Sequence, residues 1–508
     1  MNAKFMADAE QEAEEERTAH AVFDTEQQHR REAAATEEES DNDDNFDWSG
    51  LDPEEKATEQ RALSQFAPRV LAVSNLDLLP RSVPGSLFCA YRKPSAGGFG
   101  DVVTTFEAKL PSLLDHFLLL TGRIVANPRS GRPEVHCNNQ GAELVVGEVD
   151  VALASLDYGD LGASLARTGV PVQYGADIAL SVQLVSFACG GFAVAWGSNH
   201  ALVDGYSGCL VANAWSQLVR SGTIPATATP NHDRSVFRPR ATPSYGSSVR
   251  ELFMPSESEH LVNALTNESS FVRRTYYVDL RDVATLQAQA SREDAAAGER
   301  GATRLEAVSA YLWKVFATVV GESDERCRMG WWVDGRRRLT AVGYEAAAMR
   351  NYVGNVTTFA VAEASVDTIQ RRPLPDVASM VRESIKSTAT GEHFQELTDW
   401  VEEHKAAKYV ERATVGLGSP VLAVSAFTSF NFDTDFGFGH AALVMPTSVN
   451  SGRPCCGLMR IIALPGGNGW LIGMSVWPRL APAFDSDKHR IFKPLSAEHL
   501  GLGQHSRL

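Results

Sequence analysis

The sequence predicts an α/β protein of more than one domain, and three observations carry that prediction. Segments with strand-like alternation and segments with helical spacing follow one another from Arg69 onward. A stretch over residues 221–257, rich in Pro, Thr, Ser, Asn and Arg and containing Pro225, Pro230, Pro239, Pro243 and Pro255, interrupts them midway. The chain of 508 residues, 44% hydrophobic and 22% charged, is long enough to bury a large core.

Taken in order, residues 1–56 come first and hold 19 acidic against 5 basic side chains, a net of −14 out of −16 for the whole chain. Few large apolar residues accompany them, so this tail cannot offset the entropy of ordering and is expected to be disordered. A functionally neutral extension is favoured over an interaction tail. Residues 70–73 and 86–91 then read as short strands around a Pro-containing turn. Phe106, Leu110, Leu113, Leu114 and Phe117 share one helical face. Phe192, Val194 and Trp196 alternate along a strand that runs up to Asn199. Leu210, Val211, Ala214, Trp215 and Leu218 take helical spacing again, so His200 to Asp204 form a strand-to-helix connection. Beyond the Pro-rich stretch come a strand over 271–278 and a helix through 304–316. The expected organisation is a tail (1–56), a first domain (57–220), a linker (221–257) and a second domain (258–508).

Several classes are excluded at this point. The tail lacks the Arg- and Ser-rich, acid-poor composition of a transit peptide and the early apolar run of a secretory signal. The richest apolar segment, residues 114–125, is cut by His116, Thr121, Gly122 and Arg123, so no membrane insertion is expected. Outside the tail the charge is near neutral and dispersed, which predicts no nucleic-acid binding. Seven cysteines without paired spacing suit reduced thiols in a cytoplasmic protein.

The candidate chemistry centres on His200-Ala201-Leu202-Val203-Asp204-Gly205. A neutral imidazole can take up a proton near physiological pH and return it, contributing typically ~10²–10⁴-fold to a rate. The spacing alone carries little weight, because His20 and Asp24 repeat it inside the acidic tail. From the spacing alone, a core histidine hydrogen-bonded to the backbone, with Asp204 capping the following helix, is the favoured reading. Asp435-Phe436-Gly437-Phe438-Gly439 is no kinase metal site, since a phosphate-covering Gly-rich loop and a His-Arg-Asp loop are both missing. Nucleophile-elbow, Walker and dinucleotide patterns are absent too, and His136-Cys137 lacks further zinc ligands.

Read together and in order, the segments resemble the plant BAHD acyltransferases from about Leu71 to about Leu500. The matching stretches are Leu71 to Asp77, Thr121 to Ile124, Val135 to Gly141, His200 to Gly205 with Ser207 and Trp215, Leu305 to Lys314, Val333 to Leu339, Asn351 to Val356, and Asp435 to Gly439. The resemblance implies two chloramphenicol-acetyltransferase-like domains with a channel between them. It implies His200 as general base, Asp204 as a structural residue that orients the histidine loop by pairing with Arg336, and Asp435, Gly437 and Gly439 as scaffold. An acyl-CoA co-substrate, a small-molecule alcohol or amine acceptor, no metal, no permanently bound cofactor and a monomeric state are implied as well.

Where relatives carry Thr-Ser-Trp before the Asp-Phe-Gly segment, this chain has Val424-Ser425-Ala426. That leaves Ser425, Thr428 or a backbone N–H as the candidate oxyanion donor. Ser74 to Leu79, the Cys137-Asn138-Asn139 segment, Asp399 to His404 and Phe492 to Leu495 resemble the coniferyl alcohol acyltransferase branch most, which implies an acetyl or other short acyl donor and a phenylpropanoid alcohol acceptor. Hydroxycinnamoyl transfer to another alcohol is the near competitor. A non-catalytic relative that binds a small molecule or a protein is the alternative from a different class.

Overall fold

A computed structural model describes residues 69–80, 84–171, 173–255, 271–292, 300–339, 349–413, 418–447, 456–486 and 490–503. The acidic tail, expected to be disordered, lies outside the described residues. The α/β class holds, with two principal sheets.

The first sheet has five strands in the order Ala441–Pro446, Pro84–Tyr91, Phe192–Asn199, Ser181–Phe187 and Glu143–Val149. Its neighbours are antiparallel except for the final pair. The strand Phe192–Asn199 is central, and six of its eight residues in unbroken succession from Phe192 to Gly197 are buried. Both of its faces are therefore covered, although alternation suggested one apolar face. The helix Phe99–His116 lies over this core through Val102, Phe106, Leu110, Leu113 and Leu114. It starts seven residues before Phe106, the first residue of the apolar stripe, because the Gly98 amide donates to Asp101 Oδ2 (2.7 Å) and secures an earlier first turn.

The second sheet has seven strands, ordered Thr357–Ser365, Arg326–Asp334, Val421–Ala426, Gly457–Ala463, Gly469–Val476, Val272–Asp279 and Lys493–Pro494. Val421–Ala426 runs parallel to both of its neighbours. The helix Arg304–Val320 packs a wide apolar face, including Trp313 and Phe316, into the core of this half. Its start is a reciprocal cap in which Thr303 Oγ1 accepts from the Glu306 amide and Glu306 accepts from the Thr303 amide.

The Pro-rich stretch is folded onto the second half. Phe237, Val249 and Phe253 are buried in that core, and Phe253–Pro255 pairs with Tyr409–Glu411. The amides of Arg240 and Ser244 both donate to the fully buried Asp399 carboxylate at 2.8 and 3.1 Å. In the opposite sense, Ala441–Pro446 leaves the second half to form an edge of the first sheet, and Val353, Phe432 and Phe436 join the first core. Six described cysteines are free. Among the described residues no helix is long and apolar enough to cross a membrane.

Candidate active site

His200 follows directly on the strand Phe192–Asn199. Asn199 makes the turn: its Oδ1 accepts from the Ala201 amide (2.9 Å) and its carbonyl from the Leu202 amide (2.9 Å). The chain then enters the helix Gly205–Ser221, which Asp204 caps by accepting from the Ser207 amide (2.8 Å). Capping is only part of what Asp204 does. Arg336 Nη1 and Nη2 donate to its two carboxylate oxygens at 2.8 and 3.1 Å, and the Val356 amide donates to Oδ2 at 3.2 Å. Burial on its own raises the Asp204 pKa, but the guanidinium and these hydrogen bonds outweigh it and hold the carboxyl below its ordinary range. Asp334, which also accepts from Arg336, moves the other way, raised by burial and by the charge of Asp204. Arg336 additionally donates to Ser207 Oγ (3.1 Å) and the Gly354 carbonyl (2.8 Å). One buried cation thereby ties the histidine loop to Asn351–Val356 of the second half.

A second tie reaches His200 itself. Asn355 Nδ2 donates to the His200 carbonyl at 2.8 Å, while the Asn355 amide and Nδ2 donate to Asp77 Oδ1 at 2.6 and 3.1 Å. Asp77 is fully buried, accepts from the Ser74 amide (2.8 Å) and pairs with Arg234 Nε (3.2 Å). Asp77, Arg234, Ser207 and Asn355 were given no role by sequence reasoning. Three of them stand inside or beside segments that resemble the family, which was the available signal. The His200 imidazole is half-buried, and its Nδ1 has no hydrogen-bond partner among the described residues. The surroundings hold the loop through its backbone.

The wall facing this loop is the end of Val421–Ala426. A Cβ on Gly205 would lie 2.4 Å from Phe427 Cε1, so glycine is what allows this close approach. Val424 is fully buried in the second core, and Ser425 occupies the opposite face, the one shared with Phe427. The hydroxyl missing at position 424 is therefore missing from the side turned away from Phe427. Thr428 follows directly, and the Asn431 carbonyl then accepts from Asn213 Nδ2 (2.6 Å) on the histidine helix.

Asp435 sits elsewhere. Its Oδ1 accepts from the amides of Gly437 (2.8 Å) and Gly439 (3.1 Å), whose φ values of +86° and +98° favour glycine. Its carbonyl accepts from Ser216 Oγ (2.7 Å), twelve residues along the helix from Asp204, or about 18 Å at 1.5 Å per residue. Phe436 packs against Phe106 and Tyr91. His136 pairs with Glu134 at 2.7 Å, and no cluster of three or more metal-binding side chains occurs among the described residues.

Residues 62–469 match the sequence profile of the Transferase family. The chain belongs to this family, that of the plant BAHD acyltransferases. It is an acyl-CoA-dependent acyltransferase. Among similar proteins, the omega-hydroxypalmitate O-feruloyl transferase of Arabidopsis thaliana is 26% identical over 389 residues, covering 74% of this chain and 80% of that protein. The putrescine hydroxycinnamoyltransferase of Oryza sativa subsp. japonica is 25% identical over 419 residues, covering 78% and 88%. The crystal structure of F. graminearum TRI101 complexed with ethyl coenzyme A superposes with a TM-score of 0.67 at 16% identity, covering 83% of this chain and 98% of that one, which places both in one fold.

Proposed function

We propose that this BAHD acyltransferase moves a hydroxycinnamoyl-type acyl group from its coenzyme A thioester to an alcohol or amine, with His200 as the general base. One observation carries the reading. The His200 loop is clamped from the second half by Asn355 and by the buried Asp204–Arg336 pair, while its ring is left without a described partner. A base must be held in position yet remain open to the proton it removes. The feruloyl and hydroxycinnamoyl donors in the names of two relatives support the choice of acyl group.

In this reaction the acceptor oxygen or nitrogen attacks the thioester carbonyl as His200 takes its proton. Collapse of the tetrahedral intermediate breaks the C–S bond, and the proton goes to the departing thiolate. Ser425 is the side-chain donor assigned to the oxyanion, because it shares the strand face of Phe427, which abuts Gly205. Asp204, Arg336 and Asp435 with its glycines keep the loop and its helix in shape.

The acceptor divides the reading in two. The sequence segments that resemble the coniferyl alcohol acyltransferase branch favour a phenylpropanoid alcohol, and the relatives' names include both O- and N-transferases. Purified protein is offered feruloyl-CoA and acetyl-CoA with coniferyl alcohol, long-chain alcohols and aliphatic amines, and free thiol is followed. Release with feruloyl-CoA and one acceptor class is expected. Coenzyme A binding without release for any pair would identify a non-catalytic binding relative instead.

A further inference from the structure

The face that the second sheet turns toward the first half changes character row by row. Register pairs Ala423 with Leu458, Ser425 with Arg460 and Ile462 with Leu471 on neighbouring strands, and alternate residues of a strand share a face. Ala423 and Leu458 are buried with Phe359 in a small apolar cluster on one side. Ile462 and Leu471 are buried in the first core on the other. The row between them runs Trp332, Ser425, Arg460 and Gly473. Ser425 and Arg460 keep partial exposure there, whereas Val424 and Met459, one residue back on the opposite face, are fully buried. Two polar side chains that interrupt a buried apolar face mark a seam within reach of a solute.

Arg460 stands in this seam beside Ser425, one strand spacing or about 4.8 Å away. The seam is closed on the Gly473 side, where an added Cβ would lie 3.3 Å from Met445 Sδ of the first sheet. It remains partly exposed on the Ser425 side, whose wall continues through Phe427 to Gly205 of the histidine loop. Burial, and after it the charge of Arg273, lower the Arg460 pKa to about 10, so the guanidinium is still protonated at neutral pH. A guanidinium carries five N–H donors and can serve an incoming anion beside any contact it keeps within the protein. Ser425 offers one neutral donor, and a charge-assisted hydrogen bond is roughly twice as strong.

From this row we infer that Arg460 is a second, cationic oxyanion donor, which acts beside Ser425 on the tetrahedral intermediate formed at His200. The inference rests on the acyltransfer reading above and deepens it. As the acceptor oxygen or nitrogen bonds to the thioester carbon, the carbonyl π electrons move to the carbonyl oxygen. That oxygen then accepts from an Arg460 N–H and from the Ser425 hydroxyl. Collapse returns the electron pair to the carbonyl and breaks the C–S bond, and Arg460 keeps its proton throughout. The oxygen's charge develops only on the way to the intermediate, so its stabilisation belongs in kcat rather than in KM.

The test follows feruloyl-CoA turnover with coniferyl alcohol, a long-chain alcohol and an aliphatic amine in the unaltered protein and in Arg460→Met, Arg460→Gln and Arg460→Lys. The two neutral variants are expected to lower kcat about 10²-fold, the range for one oxyanion donor, with the KM for feruloyl-CoA within about twofold. Arg460→Lys keeps the charge and is expected to regain at least ~10-fold of that loss. A kcat unchanged in the neutral variants, or a loss confined to the KM of one acceptor, overturns the inference. Thermal midpoints of all four proteins report folding. A second readout needs no turnover: a phosphonate analogue of feruloyl-CoA, with an anionic tetrahedral centre in place of the carbonyl, is titrated calorimetrically beside coenzyme A. Arg460→Met is expected to weaken the analogue at least ~10-fold and to leave coenzyme A unmoved. That loss in a protein without turnover on any acceptor keeps the anion site and removes the acyltransfer reading. Turnover with a kcat indifferent to Arg460 does the reverse.

Discussion

At the scale of single residues, the division of labour around His200 makes distinct predictions. His200→Ala is expected to lower turnover by roughly 10²-fold or more with little change in thermal midpoint, because the clamp acts on the backbone. Unchanged turnover would remove the residue from the chemistry. Asp204→Ala leaves Arg336 as a buried cation with half its counter-charge gone, which costs about 3–5 kcal/mol in urea unfolding. Asp204 has a folded pKa below its unfolded one, so its contribution is complete above the unfolded value near 3.9 and fades as pH falls through the folded value. His393 works over a different pH window. Burial lowers its pKa to about 4 while its Nε2 sits 2.7 Å from Thr358 Oγ1. The unfolded chain therefore binds the extra proton between about pH 6.5 and 4, and stability falls as pH drops across that interval. His393→Gln should flatten this part of the stability profile measured by denaturant titration at successive pH values. A profile of unchanged slope would show that His393 does not cause it.

At the scale of elements, helices with periodic stripes and chemical caps could be read directly. Arg304–Val320 was legible from its stripe, and its Thr303–Glu306 cap is a local interaction that needs no other part of the fold. Thr303→Ala should cost about 1 kcal/mol by loss of that cap, read as a shift in the urea midpoint at constant slope. The Pro-rich stretch was the harder case. Composition marks it as a connection, yet Phe237, Val249 and Phe253 are buried and Asp399 takes up two of its amides. Such pairings depend on a residue more than 150 positions away, which local composition cannot reveal. The junction between strand end and helix start also has its own test. Gly205→Ala places a methyl against the Phe427 ring, so kcat should fall as the wall carrying Ser425 is displaced. An unaltered kcat would mean that this approach is not needed for turnover.

At the scale of the whole molecule, the two sheets depend on each other. Ala441–Pro446 supplies an edge to the first sheet, and Phe436 fills the first core from the other end of the chain. Residues 1–255 expressed alone should therefore lack native near-ultraviolet dichroism, and co-expression with residues 256–508 should restore it. A first half that folds alone would show the exchanged strand to be dispensable. The α/β class and the pairing of Asp204 with Arg336 beside the histidine loop were legible in the sequence because each has a local sign: a period, a turn or an ordered motif. The clamp of Asp77 and Asn355 on the His200 carbonyl was not, nor was the face presented by Ser425. These depend on strand register and on contacts between segments hundreds of residues apart, and close packing of two cores decides them.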